Sequence, residues 1–187
     1  MEKAIISLSG GQDSATCLAW ARQKFDIIYT VSFYYGQRHH RELECSKRLS
    51  QISGAKEHFQ INIEEFFKNI NINNNAMIND DYNVNNNHHL FNQLPATFVP
   101  FRNLFLLTSA AAKGLEFGVT NIVTGICQTD YSGYYDCRES FRKSLEKTLS
   151  ESIGKHIKIH APLMYLNKAE TVEMMKKLGT IDWYKYT

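Results

Sequence analysis

The chain predicts an α/β fold, a Rossmann-like doubly wound parallel sheet, and three observations carry that reading. Short apolar runs alternate with helical patterns at the spacing of βαβ units. The first run ends in a glycine turn that opens directly into a helix. The unusual polar residues collect in segments that follow predicted strands, where open parallel sheets take their ligands. A single domain over residues 1–187 is expected, large enough to bury its own core.

Ala4-Ile5-Ile6-Ser7-Leu8 is apolar and β-branched enough for a buried strand. Ser9-Gly10-Gly11-Gln12-Asp13-Ser14 breaks it, and Ala15, Leu18 and Ala21 then fall at helical spacing to about Lys24, with Asp or Ser suited to start the helix. Strand, glycine turn and helix start together make an anion site, because backbone N–H groups and the helix dipole converge there. Glycine is expected so that a phosphate can approach the backbone. The turn lacks the lysine of G-x-x-x-x-G-K-[ST], so it is not that P-loop. An ordinary capped Gly-Gly turn is the structural alternative.

Ile27–Phe33 reads as the second strand, followed by the polar loop Tyr34–His40. A helix with Leu43, Leu49 and Ile52 runs to about Ser53 and stops at Gly54. Glu57–Ile61 is a third strand. From Asn69 to Asn92 there are 11 Asn in 24 residues, too polar for a core, so a flexible insertion is expected. His88-His89 within it reads as solvated surface. Leu94–Pro100 is extended, as its prolines require.

Asn103–Phe117 is an apolar helix, expected to be buried on most sides and ended by Gly118. Thr120–Gly125 is a strand, Gly125–Asp136 a loop, and Cys137–Ile153 a helix with Phe141, Leu145 and Leu149 on one face. Lys155–His160 alternates as a half-buried strand, with His156 and His160 expected on a solvated face. The last helix opens at Asn167 with Glu170 three residues on, close to a capping box, and buries Val172, Met175 and Leu178.

A net charge of +2 argues against extensive nucleic-acid binding. No run approaches the ~18 apolar residues of a membrane span, and the N-terminus lacks a signal-peptide pattern, so no membrane partner and a cytoplasmic location are expected. A homodimer is left open. Cys17, Cys45, Cys127 and Cys137 form no C-x-x-C, and the first two read as packing residues.

Two cations break a local rule. Arg102 and Lys168 stand at predicted helix starts, where the dipole disfavours positive charge, which makes sense beside a bound anion. Solvated surface is the alternative. Arg38 carries the same suspicion more weakly. In the Gly125–Arg138 stretch, Tyr131, Tyr134 and Tyr135 suit stacking on a planar heterocycle, and Asp130 and Asp136 suit its N–H groups. Asp136 reads equally well as the N-cap of the next helix.

The Ser9–Ser14 turn resembles the S-G-G-x-D-S loop of the PP-loop ATP pyrophosphatases, the adenine nucleotide alpha hydrolase-like group. These cleave ATP between its α and β phosphates and adenylylate a substrate oxygen. A carboxylate such as Asp13 beside phosphates calls for Mg²⁺. More selectively, LSGGQDSATCLAWA, FYYGQRHHRELE, TFVPFRN, VTGICQTDYSGYYDCRESF and HAPLMYLNKAETV, within Lys3–Thr187, resemble the 7-cyano-7-deazaguanine synthases. The resemblance implies that 7-carboxy-7-deazaguanine is adenylylated, that ammonia displaces AMP, and that a second ATP drives dehydration to the nitrile of queuosine biosynthesis.

On this reading Leu8, Ser9, Gly10, Gly11, Gln12, Asp13, Ser14, Ala15, Thr16, Cys17 and Leu18 bind ATP. Asp13, Arg102 and Lys168 are catalytic, with Asp13 meeting Mg²⁺ through the ATP phosphates. Tyr35, Gln37, Arg38, Thr129, Asp130, Tyr131, Ser132, Gly133, Asp136 and Arg138 bind the deazapurine acid. The family has Gly, Asp and Glu where this chain has Phe101, Tyr34 and Gln128. Phe101 is expected to reshape the pocket, and the lost acids to weaken contacts to a guanine-like edge or to ammonium. The family also carries four zinc-binding cysteines past the point matching Thr187, so zinc is implied for it while residues 1–187 hold no such set. The chain therefore reads as a truncated or divergent relative. Competing readings are a PP-loop ligase of the tRNA thiolation or amidotransferase type, one joining a deazapurine acid to another amine such as a protein, and a nucleotide-binding module without chemistry.

Overall fold

The computed structural model describes residues 1–36, 41–69, 98–129 and 134–187. Five strands form one parallel sheet: β1 (Lys3–Ser7), β2 (Ile27–Tyr34), β3 (Glu57–Asn62), β4 (Asn121–Val123) and β5 (Lys158–His160), in the spatial order β3-β2-β1-β4-β5. The strand order reverses at β1, between β2 and β4. Helices α1 (Gln12–Lys24), α2 (Arg41–Ser53), α3 (Glu64–Asn69), α4 (Arg102–Leu115), α5 (Glu139–Ile153) and α6 (Lys168–Lys177) accompany it, with short 3-10 turns at Tyr135–Cys137 and Ile181–Tyr186. The expected Asn-rich insertion lies outside the described residues, except for Asn69 at the end of α3.

Two cores follow from the alternation of the strands. Ile5, Tyr29, Val31, Phe33 and Ile122 face α4 and α5, whereas Ala4, Ile6, Leu8, Ile28 and Val123 face α1, α2 and α6. Helices on both faces make the sheet doubly wound, as predicted.

Several elements differ from the sequence reading. In α4, Leu107, Ala110, Ala111 and Gly114 are buried, while Thr108 and Ala112 are exposed. Only one face of α4 meets the sheet, and its apolar composition overstated its burial. On α2 the sheet-facing residues include Ser46, Ser50 and Ser53 beside Leu49, each serine using its hydroxyl on a nearby oxygen. Helix α3 and the closing 3-10 turn were not anticipated. The latter packs Trp183, Tyr184 and Tyr186 over α1 and α2, with the Tyr184 hydroxyl 2.8 Å from Thr16 Oγ1.

His160 is not on a solvated face. It is half-buried against Trp20 and Phe25, its Nε2 lies 3.0 Å from Asn121 Oδ1, and burial holds its imidazole below the ordinary histidine range.

The free edge of β5 is covered by side chains of α5. Ser150 Oγ accepts from Ile157 N–H at 2.9 Å, Glu146 Oε2 accepts from Ile159 N–H at 2.8 Å, and Arg142 Nη1 donates to Ile159 O at 2.8 Å. The spacing fits because four helical residues rise about 6 Å and two strand residues about 6.6 Å. Arg142 is held in turn by both Glu139 oxygens at 2.7 Å. A sheet edge that would otherwise invite another strand is thereby closed.

Candidate active site

The turn after β1 is knitted together by its own hydroxyls. Ser9 Oγ donates to Ser14 Oγ at 3.1 Å, Ser14 Oγ donates to Gly11 O at 2.8 Å, and Gly10 N–H donates back to Ser14 Oγ at 3.2 Å. The N-cap of α1 is Gly11, with no side-chain cap, rather than the Asp or Ser expected. The first-turn N–H groups are thus left without a capping side chain, which suits an incoming anion. Gly10 has φ +93°, and a Cβ there would strike the Glu42 carbonyl oxygen. Close approach at this glycine is therefore made by α2, a reason the sequence did not disclose. Gly125 does the same for β4: a Cβ would meet the Asp13 carbonyl carbon at 3.3 Å.

Asp13 and Lys168 meet at 2.5 Å across the starts of α1 and α6. The capping box at Asn167 and Glu170 is complete, with bonds of 2.9 and 2.8 Å, so Lys168 is not needed to start its helix. The pair lines a cavity of about 270 Å³ with Cys127, Thr129 and Leu166. Thr129 Oγ1 donates to Leu166 O at 2.5 Å, tying the β4 loop to the segment before α6.

A second cavity, of about 300 Å³, lies beyond the carboxyl ends of β1, β2 and β4 and shares Cys127 with the first. Leu8, Ser9, Tyr35 and Arg102 line it. Arg102 opens α4 and hydrogen-bonds the Tyr35 phenol, which burial pushes above its usual range against the pull of that arginine. Ser32, Glu42, Asn103 and Cys137 also reach this cavity, and the sequence reading had assigned none of them to a site. Polar residues at 30 and 32 inside a central strand were the available signal for Ser32.

Other site residues are placed differently from expectation. Ala15, Thr16, Cys17 and Leu18 are fully buried in α1 and offer no surface to a ligand. Cys17 packs with its thiol toward Thr124 O, and desolvation raises its pKa well above the ordinary value. Asp136 does not cap α5, whose N-cap is Arg138. It accepts instead from Asn103 N–H at 3.1 Å and anchors the start of α4. Arg138 stacks on Tyr135 at 4.3 Å, outside both cavities. Gln128 Oε1 accepts from Glu139 N–H at 3.1 Å, so the residue replacing the family's Glu caps α5. Phe101 has φ +62°, a conformation natural to the family's Gly, and its ring is 63% exposed in an outer groove rather than in the strand-end cavity. Gln37, Arg38, Asp130, Tyr131, Ser132 and Gly133 lie outside the described residues.

A doubly wound sheet with a glycine turn and a side-chain-uncapped helix start after its central strand, and cavities at the point of strand reversal, has the architecture expected of the PP-loop class. Solved structures share this fold. A 4-thiouridine synthetase in complex with RNA and bound ATP is 18% identical, with TM-score 0.58, over 98% of this chain and 42% of that one. The NH3-dependent NAD synthetase of Campylobacter jejuni is 15% identical, with TM-score 0.54, over 98% and 67%. A predicted tRNA methyltransferase subunit of Methanocaldococcus jannaschii is 13% identical, with TM-score 0.57, over 95% and 76%. These likenesses concern the fold. The family model of queuosine biosynthesis protein QueC matches residues 3–187, and the chain belongs to that family, the 7-cyano-7-deazaguanine synthases.

Proposed function

We propose that this protein uses ATP to adenylylate the carboxylate of 7-carboxy-7-deazaguanine, aminates it with ammonia, and dehydrates the amide to 7-cyano-7-deazaguanine. The observation that carries the reading is the meeting of the Ser9–Ser14 turn, the Asp13–Lys168 pair and Arg102 around two adjoining cavities at the strand reversal. Family membership supports it, as do structural neighbours that include a 4-thiouridine synthetase with bound ATP and an NH3-dependent NAD synthetase.

The uncapped start of α1 supplies N–H donors and dipole for phosphate oxygens. Lys168 and Arg102 supply positive charge where negative charge grows as the α–β bond is cut. The acid lies in the strand-end cavity with its carboxylate toward the turn, so that nucleophile and phosphorus are held together.

Mg²⁺ fits Asp13 on donor chemistry. Among the described residues no three His, Cys, Asp or Glu cluster, and a single carboxylate with phosphates and water is how Mg²⁺ is commonly held. Bound there, it would neutralise phosphate charge. Among the described residues the four cysteines do not make a structural zinc set: they are free and sit on separate segments, with Cys17 in the core.

The test is mass spectrometry of the product from 7-carboxy-7-deazaguanine, ammonia and ATP-Mg, with the nucleotide products analysed alongside. The nitrile, AMP and pyrophosphate are expected. ADP and phosphate, or no conversion of the acid, would overturn the proposal.

A further inference from the structure

The face of the sheet under α2 holds a line of hydrogen-bonded polar side chains that the site description leaves unused. His58 on β3 stands opposite Thr30 in the register of β2. Its Nδ1 is 2.9 Å from Thr30 Oγ1, and its Nε2 is 3.2 Å from Ser32 Oγ. Thr30 Oγ1 in turn lies 2.7 Å from Ser50 Oγ of α2 and 3.4 Å from the Glu57 carbonyl. Thr30 and Ser32 are buried, His58 is half-buried at the sheet's outer strand, and Ser32 reaches the wall of the strand-end cavity. One imidazole is therefore hydrogen-bonded to a residue in the wall of the chamber assigned to the acid.

We propose that Ser32 and His58 form a proton relay that accepts a proton from the ammonium entering the strand-end cavity, making ammonia available as nucleophile. This rests on the reaction proposed above. The relay uses the tautomer in which Nδ1–H donates to Thr30 Oγ1, whose hydroxyl has Ser50 and the Glu57 carbonyl within reach as acceptors, and Nε2 accepts from Ser32. Ammonium loses an N–H proton to Ser32 Oγ while the Ser32 hydroxyl proton passes to His58 Nε2. The freed lone pair attacks the acyl carbon, the C–N bond forms, and the C–O bond to AMP breaks with its electrons leaving on the phosphate. The second N–H proton goes to water.

The surroundings favour the neutral imidazole at rest, the form that is able to take up a proton. Burial lowers its pKa below the ordinary histidine value, and Lys47 of α2 lowers it further. The hydroxyls of Thr30 and Ser32 on β2 stand beside it, with Ser50 of α2 one hydrogen bond further on. Glu42, the acidic side chain among the described cavity-lining residues, stands on the same chamber and suits an incoming cation. His58 acts on the amine only through Ser32, so its test needs a readout beyond rate.

His58→Gln and Ser32→Ala are compared with the wild type in two assays. Acid-dependent ATP–pyrophosphate exchange reports adenylylation, and single-turnover amide formation across pH reports amination. Exchange by His58→Gln is expected within about twofold of wild type, with amination by either variant slowed about a hundredfold near neutral pH. The deficit should shrink as pH approaches the pKa of ammonium, where free ammonia needs no relay. Equal loss of exchange and amination in both variants, or a deficit constant with pH, would overturn the relay. So would amination at the wild-type rate. If the wild type catalyses no exchange, the proposed reaction fails by itself. Imidazole nitrogen-15 shifts then still decide the relay, because a protonated Nε2 in neutral His58 contradicts it.

Discussion

Lys168→Ala separates a catalytic cation from a structural one. At the first position of α6 the ammonium opposes the helix dipole, so its removal stabilises by about 0.3–1 kcal/mol. Against this stands the loss of the Asp13 pair, whose side chains are 64% and 28% exposed, and pairs this open contribute about 0–1 kcal/mol. The Asn167–Glu170 box holds the helix start in either case. The two terms nearly cancel, so stability should stay within about 0.5 kcal/mol and Tm within roughly 1–2 °C. Charge stabilisation at the breaking phosphate bond is another matter: its loss should slow pyrophosphate formation by about 10²–10³. Thermal melts and pyrophosphate release on one preparation measure both. A fall of more than about 2 kcal/mol with normal activity per folded molecule would make Lys168 structural, and unchanged activity at unchanged stability would refute its role outright.

Phe101→Gly should stabilise by up to about 1 kcal/mol in urea unfolding, since φ +62° suits Gly and little ring burial is lost, whereas Phe101→Val should destabilise. Glu146→Ala leaves the buried Ile159 N–H without its acceptor and removes an Arg142 bond, a loss of about 3 kcal/mol, read by denaturation and by faster exchange of the Ile159 amide. The hydrogen bonds of Arg142 hold Glu139 below the usual carboxylate range. At Glu146 burial opposes ionisation, but the Ile159 N–H, Lys158 and Arg142 outweigh it. Depressed carboxyls contribute stability above their ordinary pKa of 4.5 and lose it as pH falls through the lowered values, so Arg142→Met should flatten the acid limb of a stability–pH curve. Gly10→Ala should destabilise by more than about 2 kcal/mol, through clash with α2 and a positive φ, even without nucleotide; an unaffected melt would remove the packing explanation.

The elements legible in the sequence were those whose cause is local. The apolar runs of β1 and β2, the turn at Ser9–Ser14, the glycine stops and the Asn167–Glu170 box all rest on residues within one turn or one strand of each other. Composition misled where burial depends on what lies opposite: α4 is apolar around more of its surface than the sheet covers, and the buried serines of α2 are satisfied by a β2 hydroxyl at Ser50 and by carbonyls of their own helix at Ser46 and Ser53. The candidate site was half legible. Arg102 and Lys168 stood out because each opposes its own helix dipole. That Lys168 meets Asp13 across 155 residues, or that Asp136 holds α4 rather than α5, has no local signature. The same holds for Ser32 and His58, which are ordinary residues of two strands until parallel pairing sets them side by side. Local periodicity determines which face of an element is buried. Only the packing of the sheet, which brings β1, β2 and β4 to a common edge, decides which polar groups share a chamber there.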